Sequence, residues 1–304
     1  MHLKSLKMRS GFSLIKNGEK RGDPYKESLL SIAPLVDEIV VAVGDNQDNT
    51  REELLKLAPQ LPCELVLIDS PWDPKNTRGG LELSRQSNIA LEHCKHEICL
   101  YIQADEVLHE RDYPIFKRDL ERFENDESVD ALAFKWLHFY GDFNTYAESR
   151  QWYRREIRAI KKSRGLKSYG DAQGFRILSD NKWSKPSAAL SQARYLHYGW
   201  VRPPKVMAQK SEDLDRLWHG NKNDGKHTVE NVYPPLFGMK RYEEEHPILM
   251  KSRVEAYGDF APFKGKSAPK NMKYWRLLGD SLIEKFSGWR PGEYTNYRSL
   301  KLYK

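Results

Sequence analysis

The sequence predicts an α/β fold: a mostly parallel central sheet with helices on both faces, a smaller antiparallel element and a helical C-terminal region. Three observations carry this. Strand and helix patterns alternate through the first 110 residues, the order that builds a parallel sheet. The run Ile39, Val40, Val41, Ala42, Val43 is apolar without a break, as in a strand covered on both faces. Two of the apolar runs finish in acids, Asp45 and Asp105, at the sheet edge where ligands of such folds bind.

The elements follow in order. Residues 11–16 (GFSLIK) form a short strand, and NGEKRGDP after it is rich in turn residues. Residues 24–36 show helical spacing through Leu29, Leu30, Ile32 and Ala33. The second strand covers 37–44. NQDNT then leads into the helix REELLKLAPQL, which Thr50 or Asn49 can cap, with Glu52 and Glu53 in its first turn. ELVLID (64–69) is the third strand. The loop SPWDPKNTRGG is broken by Pro71, Pro74, Gly79 and Gly80, and a helix over 81–94 precedes the fourth strand, EICLYIQA. Beyond Glu106 the pattern changes. DYPIFKRDLERFEND reads as an amphipathic helix, and 129–141 and 151–162 as long antiparallel strands. ARYLHYGW (193–200) is a further strand, with a helix after the two prolines Pro203 and Pro204. The tail has helix-like stretches at 246–258 and 271–286.

Composition bounds the function. With 304 residues and 39% apolar content the chain can bury a sizeable core. No run approaches the ~20 apolar residues of a membrane span, and the N-terminal stretch is a poor signal peptide. Cys63, Cys94 and Cys99 fit no zinc spacing and read as buried free thiols of a reducing cytoplasm. Charge is divided: residues 1–140 hold 18 Lys/Arg against 25 Asp/Glu, net −7, and the remainder of the chain is net +14. A basic back half suits phosphate groups, an anionic membrane or nucleic acid. No phosphate-binding G-x-x-x-x-G-K-[ST] loop, G-x-S-x-G elbow or G-x-G-x-x-G fingerprint is present.

The strand ending in Gln103, Ala104, Asp105 and Glu106 presents carboxylates at a sheet tip, where a hard divalent cation finds oxygen ligands. Together with SLIKNGEK, the strand ending VVAVGDNQDNT and SNIALEHC, this segment resembles the nucleotide-sugar-binding half of family 2 glycosyltransferases of the GT-A fold. The resemblance covers about residues 10–110 closely and extends weakly through YLHYGWVRPPKVMAQK. It implies a nucleotide-diphosphate sugar donor, a glycan or lipid-linked acceptor hydroxyl, Mn2+ or Mg2+ as cofactor, and inversion at the transferred sugar. Carried over residue by residue, Asp45 contacts the nucleoside, Asn17 lies near the nucleotide, and Asn88 matches the Asn of an R-N pair. Asp105 matches the metal-contacting Asp of D-x-D, with Ala104 between it and Gln103. Gln103 replaces the first Asp of that motif and can bond ribose without adding charge. Ser87 stands where the Arg of R-N is usual, so Arg78 or Arg85 is expected to neutralise the diphosphate.

His197, between aromatics, is the second expected metal ligand, with Arg202, Lys205 and Lys210 around the diphosphate. Acceptor activation needs a base. Asp171 in KSYGDAQGFRI is the candidate, with Asp142 and the acids of SEDLD as rivals. Trp136, Trp152, Tyr153, Trp183, Trp200 and Trp218 form either core or a stacking platform for sugar rings.

The expected organisation is a transferase domain over 1–230, with a donor half to about 110 and an acceptor half after it, and a helical extension over 231–304. The expected activity is metal-dependent sugar transfer in surface glycan synthesis, by a cytoplasmic protein compatible with peripheral contact at the inner face of a membrane and with no nucleic-acid partner. Two alternatives remain: a nucleotidyltransferase on a related sheet, for which IKNGEKRG is a poor glycine loop, and a non-catalytic basic binding module.

Overall fold

A computed structural model describes residues 8–76, 78–223, 225–257 and 270–303. The N-terminal residues 1–7 of the sequence reading lie outside it.

The fold begins from the second strand. Its β-branched residues divide by alternation between two cores: Ile39, Val41 and Val43 pack on one face of the sheet, Val40 and Ala42 on the other. Every residue of this strand is buried. Four parallel strands form the first half of the sheet: β1 (Arg9–Ile15), β2 (Glu38–Val43), β3 (Glu64–Asp69) and β4 (Ile98–Tyr101), in the order 3-2-1-4. Ile15 pairs with Val43 and Val43 with Asp69, so their carboxyl ends finish together.

Helices cover both faces. α1 (Gly18–Arg21) is a single turn after β1. α2 (Tyr25–Ile32) turns Tyr25, Leu29 and Ile32 into the first core at i, i+4, i+7 spacing. α3 (Thr50–Leu57) starts from Asp48, whose carboxylate accepts the Thr50 N–H; neither Asn49 nor Thr50 supplies the side-chain cap expected of them. α4 (Leu81–His93) packs Ala90 and Leu91 into the second core. After the short β5 (Glu106–Leu108), α5 (Tyr113–Glu124) buries Phe116, Leu120 and Phe123 on one stripe. Each such ring stabilises the fold by ~1.5–3 kcal/mol.

The second half extends the same sheet. β6 (Ala131–Tyr140) lies antiparallel to β8 (Arg155–Lys161), which is antiparallel to β4. β7 (Thr145–Ala147) pairs with the end of β6. β8 begins at Arg155, not at Gln151: the Trp152 N–H turns back to the Ser149 carbonyl and breaks the ladder. A separate antiparallel sheet holds β9 (Leu166–Tyr169), β10 (Gly174–Ser179) and β11 (Lys182–Ser184). The β10–β11 turn uses Asp180 and Asn181, both at positive φ, the pattern of a two-residue hairpin. β12 (Ser187–Trp200) is twice the length read from sequence and runs parallel to β6.

α6 (Pro204–His219) follows Pro203 as predicted. The tail contributes α7 (Lys251–Tyr257) and α8 (Met272–Ser287), but also β13 (Met239–Arg241), paired with β7, and β14 (Arg298–Leu302), paired with β12. Along β3-β2-β1-β4-β8-β6-β12-β14 only β8 opposes the rest, so the sheet is mostly parallel, the architecture that the GT-A resemblance implies. Cys94 and Cys99 are buried free thiols, and Cys63 is half-buried instead. Among the described residues no helix is long and apolar enough to cross a membrane.

Candidate active site

At the carboxyl ends of β1 and β4, a cleft of about 180 Å³ opens between the strand tips, β12 and α6. Gln103, Ala104, Asp105, His197 and Lys210 line it, so the D-x-D-like segment and the distant histidine meet. β12 brings them together by pairing His197 with Glu106 and donating the Tyr198 N–H to the Asp105 carbonyl.

The chemistry centres on two atoms. Asp105 Oδ1 lies 3.7 Å from His197 Nε2, while Oδ2 accepts from Lys210 Nζ at 2.8 Å. Burial alone would raise the Asp105 pKa, but Lys210, His197 and Arg202 hold it well below the usual carboxylate range. Burial pushes His197 down to about 4; Asp105 opposes that shift, while the charges of Lys210 and Arg202 add to it. His197 is therefore neutral at pH 7, and its tautomer follows from its neighbours. Buried His138 is also held neutral by burial. Its Nε2 lies 2.9 Å from the Tyr153 carbonyl, which can only accept, so that nitrogen carries the proton. His138 Nδ1 then accepts from His197 Nδ1 at 3.3 Å. The His197 Nε2 lone pair is left facing a carboxylate oxygen. Two electron-rich atoms so placed repel each other and together suit a cation.

The backbone keeps that space open. A Cβ on Gly199 would stand 2.3 Å from His197 Nε2 and 2.9 Å from Asp105 Oδ2. Trp136, Trp152 and Tyr153 wall the His138 ring at centroid separations of 4.7–5.1 Å. Trp183 and Trp218 are exposed; Trp183 packs on Tyr169 and Trp218 lies beside Gly80.

Behind the cleft lies a charge network in which the expected Arg202 and Lys210 are joined by Asp23, an acid without a sequence signal. Buried Asp23 accepts from Arg202 and, at 3.1 Å, from Lys210. Arg202 is fully buried and also donates to the carbonyls of Arg21, Tyr198 and Gly199, so it fastens the wall and does not face a ligand. Glu106 points away from the cleft into a fully buried pair with Arg158 at 2.7 Å. Arg21 lines the cleft, stacked over Trp72, and its Nε is buried without a partner. Lys16 reaches from the cleft to Asp45 Oδ1 at 2.7 Å.

The other expected residues are distributed as follows. Asp45 borders an adjoining recess at the tips of β2 and β3, its pKa lowered by the Lys16 and Trp72 N–H bonds against the effect of burial. Asn17, at φ 54°, ties the two strand-end loops together: its N–H donates to Asn46 and its side chain accepts from Gln47. Gln103 Nε2 donates to the Ala172 carbonyl at 3.3 Å, which brings the Asp171 turn against the D-x-D-like segment. Asp171 lies in the β9–β10 turn against Gly80, outside the cleft lining, and burial raises its pKa. Asn88 is committed to the backbone of Ser168 by two hydrogen bonds. Arg85 is committed to buried Glu82 and the Pro71 carbonyl. Arg78 and Lys205 are exposed and outside the cleft, where Lys210 stands in place of Lys205. Asp142 accepts the Asn144 N–H in its own turn.

Among the described residues no group of three or more His, Cys, Asp or Glu side chains could hold a metal ion. A cation here would take Asp105, His197, and oxygens of substrate and water. One or two protein ligands with substrate phosphates is the common arrangement for Mg2+.

No protein-family model matches this sequence, and no curated protein matches it. Solved structures with a similar chain path include S. aureus TarS 1–349 in complex with UDP, at 16% identity and TM-score 0.37, covering 69% of this chain and 64% of that one. A second structure of TarS 1–349 matches at 15% identity and TM-score 0.37 over 91% of this chain and 80% of that one. Glucosyl-3-phosphoglycerate synthase from Mycobacterium tuberculosis, in complex with Mn2+, UDP and phosphoglyceric acid, matches at 18% identity and TM-score 0.29 over 44% of this chain and 43% of that one. The chain thus spans less than two thirds of the first of these structures.

Proposed function

We propose that this chain is a metal-dependent glycosyltransferase, moving a sugar from a nucleotide-diphosphate donor to an acceptor hydroxyl with inversion, in glycan synthesis. The observation that carries the reading is the Asp105–His197 pair: a carboxylate and an unprotonated imidazole nitrogen facing each other across a gap that Gly199 keeps clear. Charge counting supports it. Among the residues lining the cleft Lys16, Arg21 and Lys210 stand against Asp23 and Asp105, a surplus of one. A donor diphosphate brings two negative charges.

Asp105 and His197 would hold Mn2+ or Mg2+, which supplies the positive charge that makes a diphosphate a good leaving group. Arg21, with its unpartnered Nε, and Lys210 neutralise the rest. Asp45 and Asn17 border the nucleoside, and Gln103 bonds ribose. Asp171 takes the acceptor hydroxyl proton. Burial makes its carboxylate a stronger base than an exposed one, which suits that role. Residues up to about 110 form the donor half, and those after it shape the acceptor side.

Thermal-shift measurement against a panel of nucleotide-diphosphate sugars, with and without Mn2+, tests the reading. Stabilisation by at least one donor that depends on Mn2+ and is lost in Asp105→Asn is expected. No stabilisation by any donor, or stabilisation unchanged in that variant, overturns it.

A further inference from the structure

A second recess, of about 640 Å³, lies beside β6, walled partly by Leu137, Leu190, Trp152 and Tyr297. Across its floor three neighbouring strands carry cations in one row. Arg155 on β8 is the register partner of Lys135 on β6, and Lys135 is the partner of Arg194 on β12. Directly opposed residues share a face, and like charges there repel. Such a row costs stability unless something negative lies over it.

Only part of the row is compensated. Arg194 is held by Asp112 at 3.0 Å and Glu244 at 2.9 Å. Among the described residues the Arg155 guanidinium donates only to the Ser191 carbonyl, and the Lys135 ammonium meets neither carboxylate nor carbonyl. The acids lining the recess are engaged elsewhere: Glu284 and Glu293 with Arg154, Glu284 also with Arg290, and Glu148 with Lys240. Burial and the Arg155 and Arg194 charges lower the Lys135 pKa against the pull of Asp112, and burial lowers that of Arg155 against Tyr297 and Glu293. Two cations without an ion-pair partner among the described residues match a phosphate monoester, which carries about −1.5 to −2 at neutral pH, and Leu137, Leu190 and Tyr297 offer apolar surface to an organic body attached to it.

We propose that this recess binds a phosphate monoester through Lys135 and Arg155, with Arg194 at its margin. His138 lines the recess and bonds His197 of the cleft, so the two sites share a wall. Assignment of the phosphate to the acceptor rests on the glycosyltransferase reading; the binding site itself does not. Free inorganic phosphate offers the same chemistry and would be a regulatory ligand.

Calorimetric titration of the full chain with sn-glycerol 3-phosphate, inorganic phosphate and neutral glycerol at matched ionic strength tests this. Both phosphates bind and glycerol does not. Lys135→Met and Arg155→Gln each weaken phosphate binding at least ~10-fold, the loss of one charge-assisted hydrogen bond. Because each also removes a like-charge contact, neither lowers the melting temperature. Tighter binding of the ester assigns the site to the acceptor; equal binding assigns it to free phosphate. Wild-type affinity in both variants, or no phosphate binding by the wild type, overturns the site. Donor binding with Mn2+, measured on the same samples, fails independently if the transferase reading is wrong.

Discussion

Gly199→Ala is the sharpest perturbation of the proposed cation site. Gly199 does not adopt a positive φ, so alanine meets no backbone penalty and the effect is steric. The new Cβ would lie 2.3 Å from His197 Nε2, where van der Waals contact needs about 3.5 Å. The imidazole or the backbone must therefore shift by roughly 1.2 Å, the difference of those two values. His197 cannot swing freely, because His138 holds its Nδ1 and the Trp136 ring lies 5.2 Å away. Overpacking of this kind costs about 1–3 kcal/mol of stability. Its effect on a bound cation is larger in proportion, since metal–ligand distances tolerate only ~0.2 Å. Mn2+ affinity in the presence of nucleoside diphosphate is expected to fall by ~100-fold, at or beyond the upper end of the effect of losing an outer-shell partner. Calorimetric Mn2+ titration at fixed UDP, beside urea unfolding, measures both quantities. Wild-type Mn2+ affinity in a folded Gly199→Ala chain would show that no cation sits between Asp105 and His197.

Three further outcomes are expected. Arg158→Leu strands the Glu106 carboxylate in a fully buried site and lowers stability by roughly 3–5 kcal/mol in urea unfolding. Asp171→Asn retains Mn2+-dependent donor binding while sugar transfer slows by ~10²–10⁴, and single-turnover kinetics would separate the two. His246 is pushed down to about 4 from 6.5 by burial, with its Nε2 at 2.9 Å from the Phe143 carbonyl and its Nδ1 at 2.9 Å from the Tyr198 hydroxyl. The unfolded chain takes up that proton near pH 6.5 and the folded chain only near pH 4. Stability present above pH 6.5 is thus lost as the pH falls towards 4, by at most roughly 3 kcal/mol. Urea unfolding at pH 7.5 and 5 should show a shallower fall for His246→Asn than for the wild type.

Sequence made the first half of the fold legible where physics repeats. β2 buries both faces, so its composition announces it, and α2 and α5 place aromatic and aliphatic residues at helical spacing. β14 gave no signal because all five of its residues are exposed; it is held by pairing to β12 and by Lys301, which binds Asp126 and Ser128. The β10–β11 hairpin did carry one, the Asp180–Asn181 dipeptide, and that cue went unread. In the site, Asp105 and His197 lie 3.7 Å apart, a proximity expected from the family resemblance and not from the strand-tip pattern. Asp23 and Arg21 were illegible: they sit at and just beyond the end of the one-turn α1, and the partners of Asp23 lie 179 and 187 residues further on. His138 acquires its role only from the β6–β12 register, which no local pattern specifies. Arg158 was readable in principle. An arginine inside the apolar run Ile157, Ala159, Ile160 requires a buried acid, although no local pattern marks Glu106, 52 residues upstream, as that acid.

The outer margin of β12 is screened by two short segments, β14 over its beginning and β5 near its end. An unscreened margin of a sheet is a template for any passing strand. Trimming residues 298–302 would therefore do more than shorten the protein: it would leave a sticky seam on the strand that carries His197, and self-association would disturb that wall of the cleft from a distance.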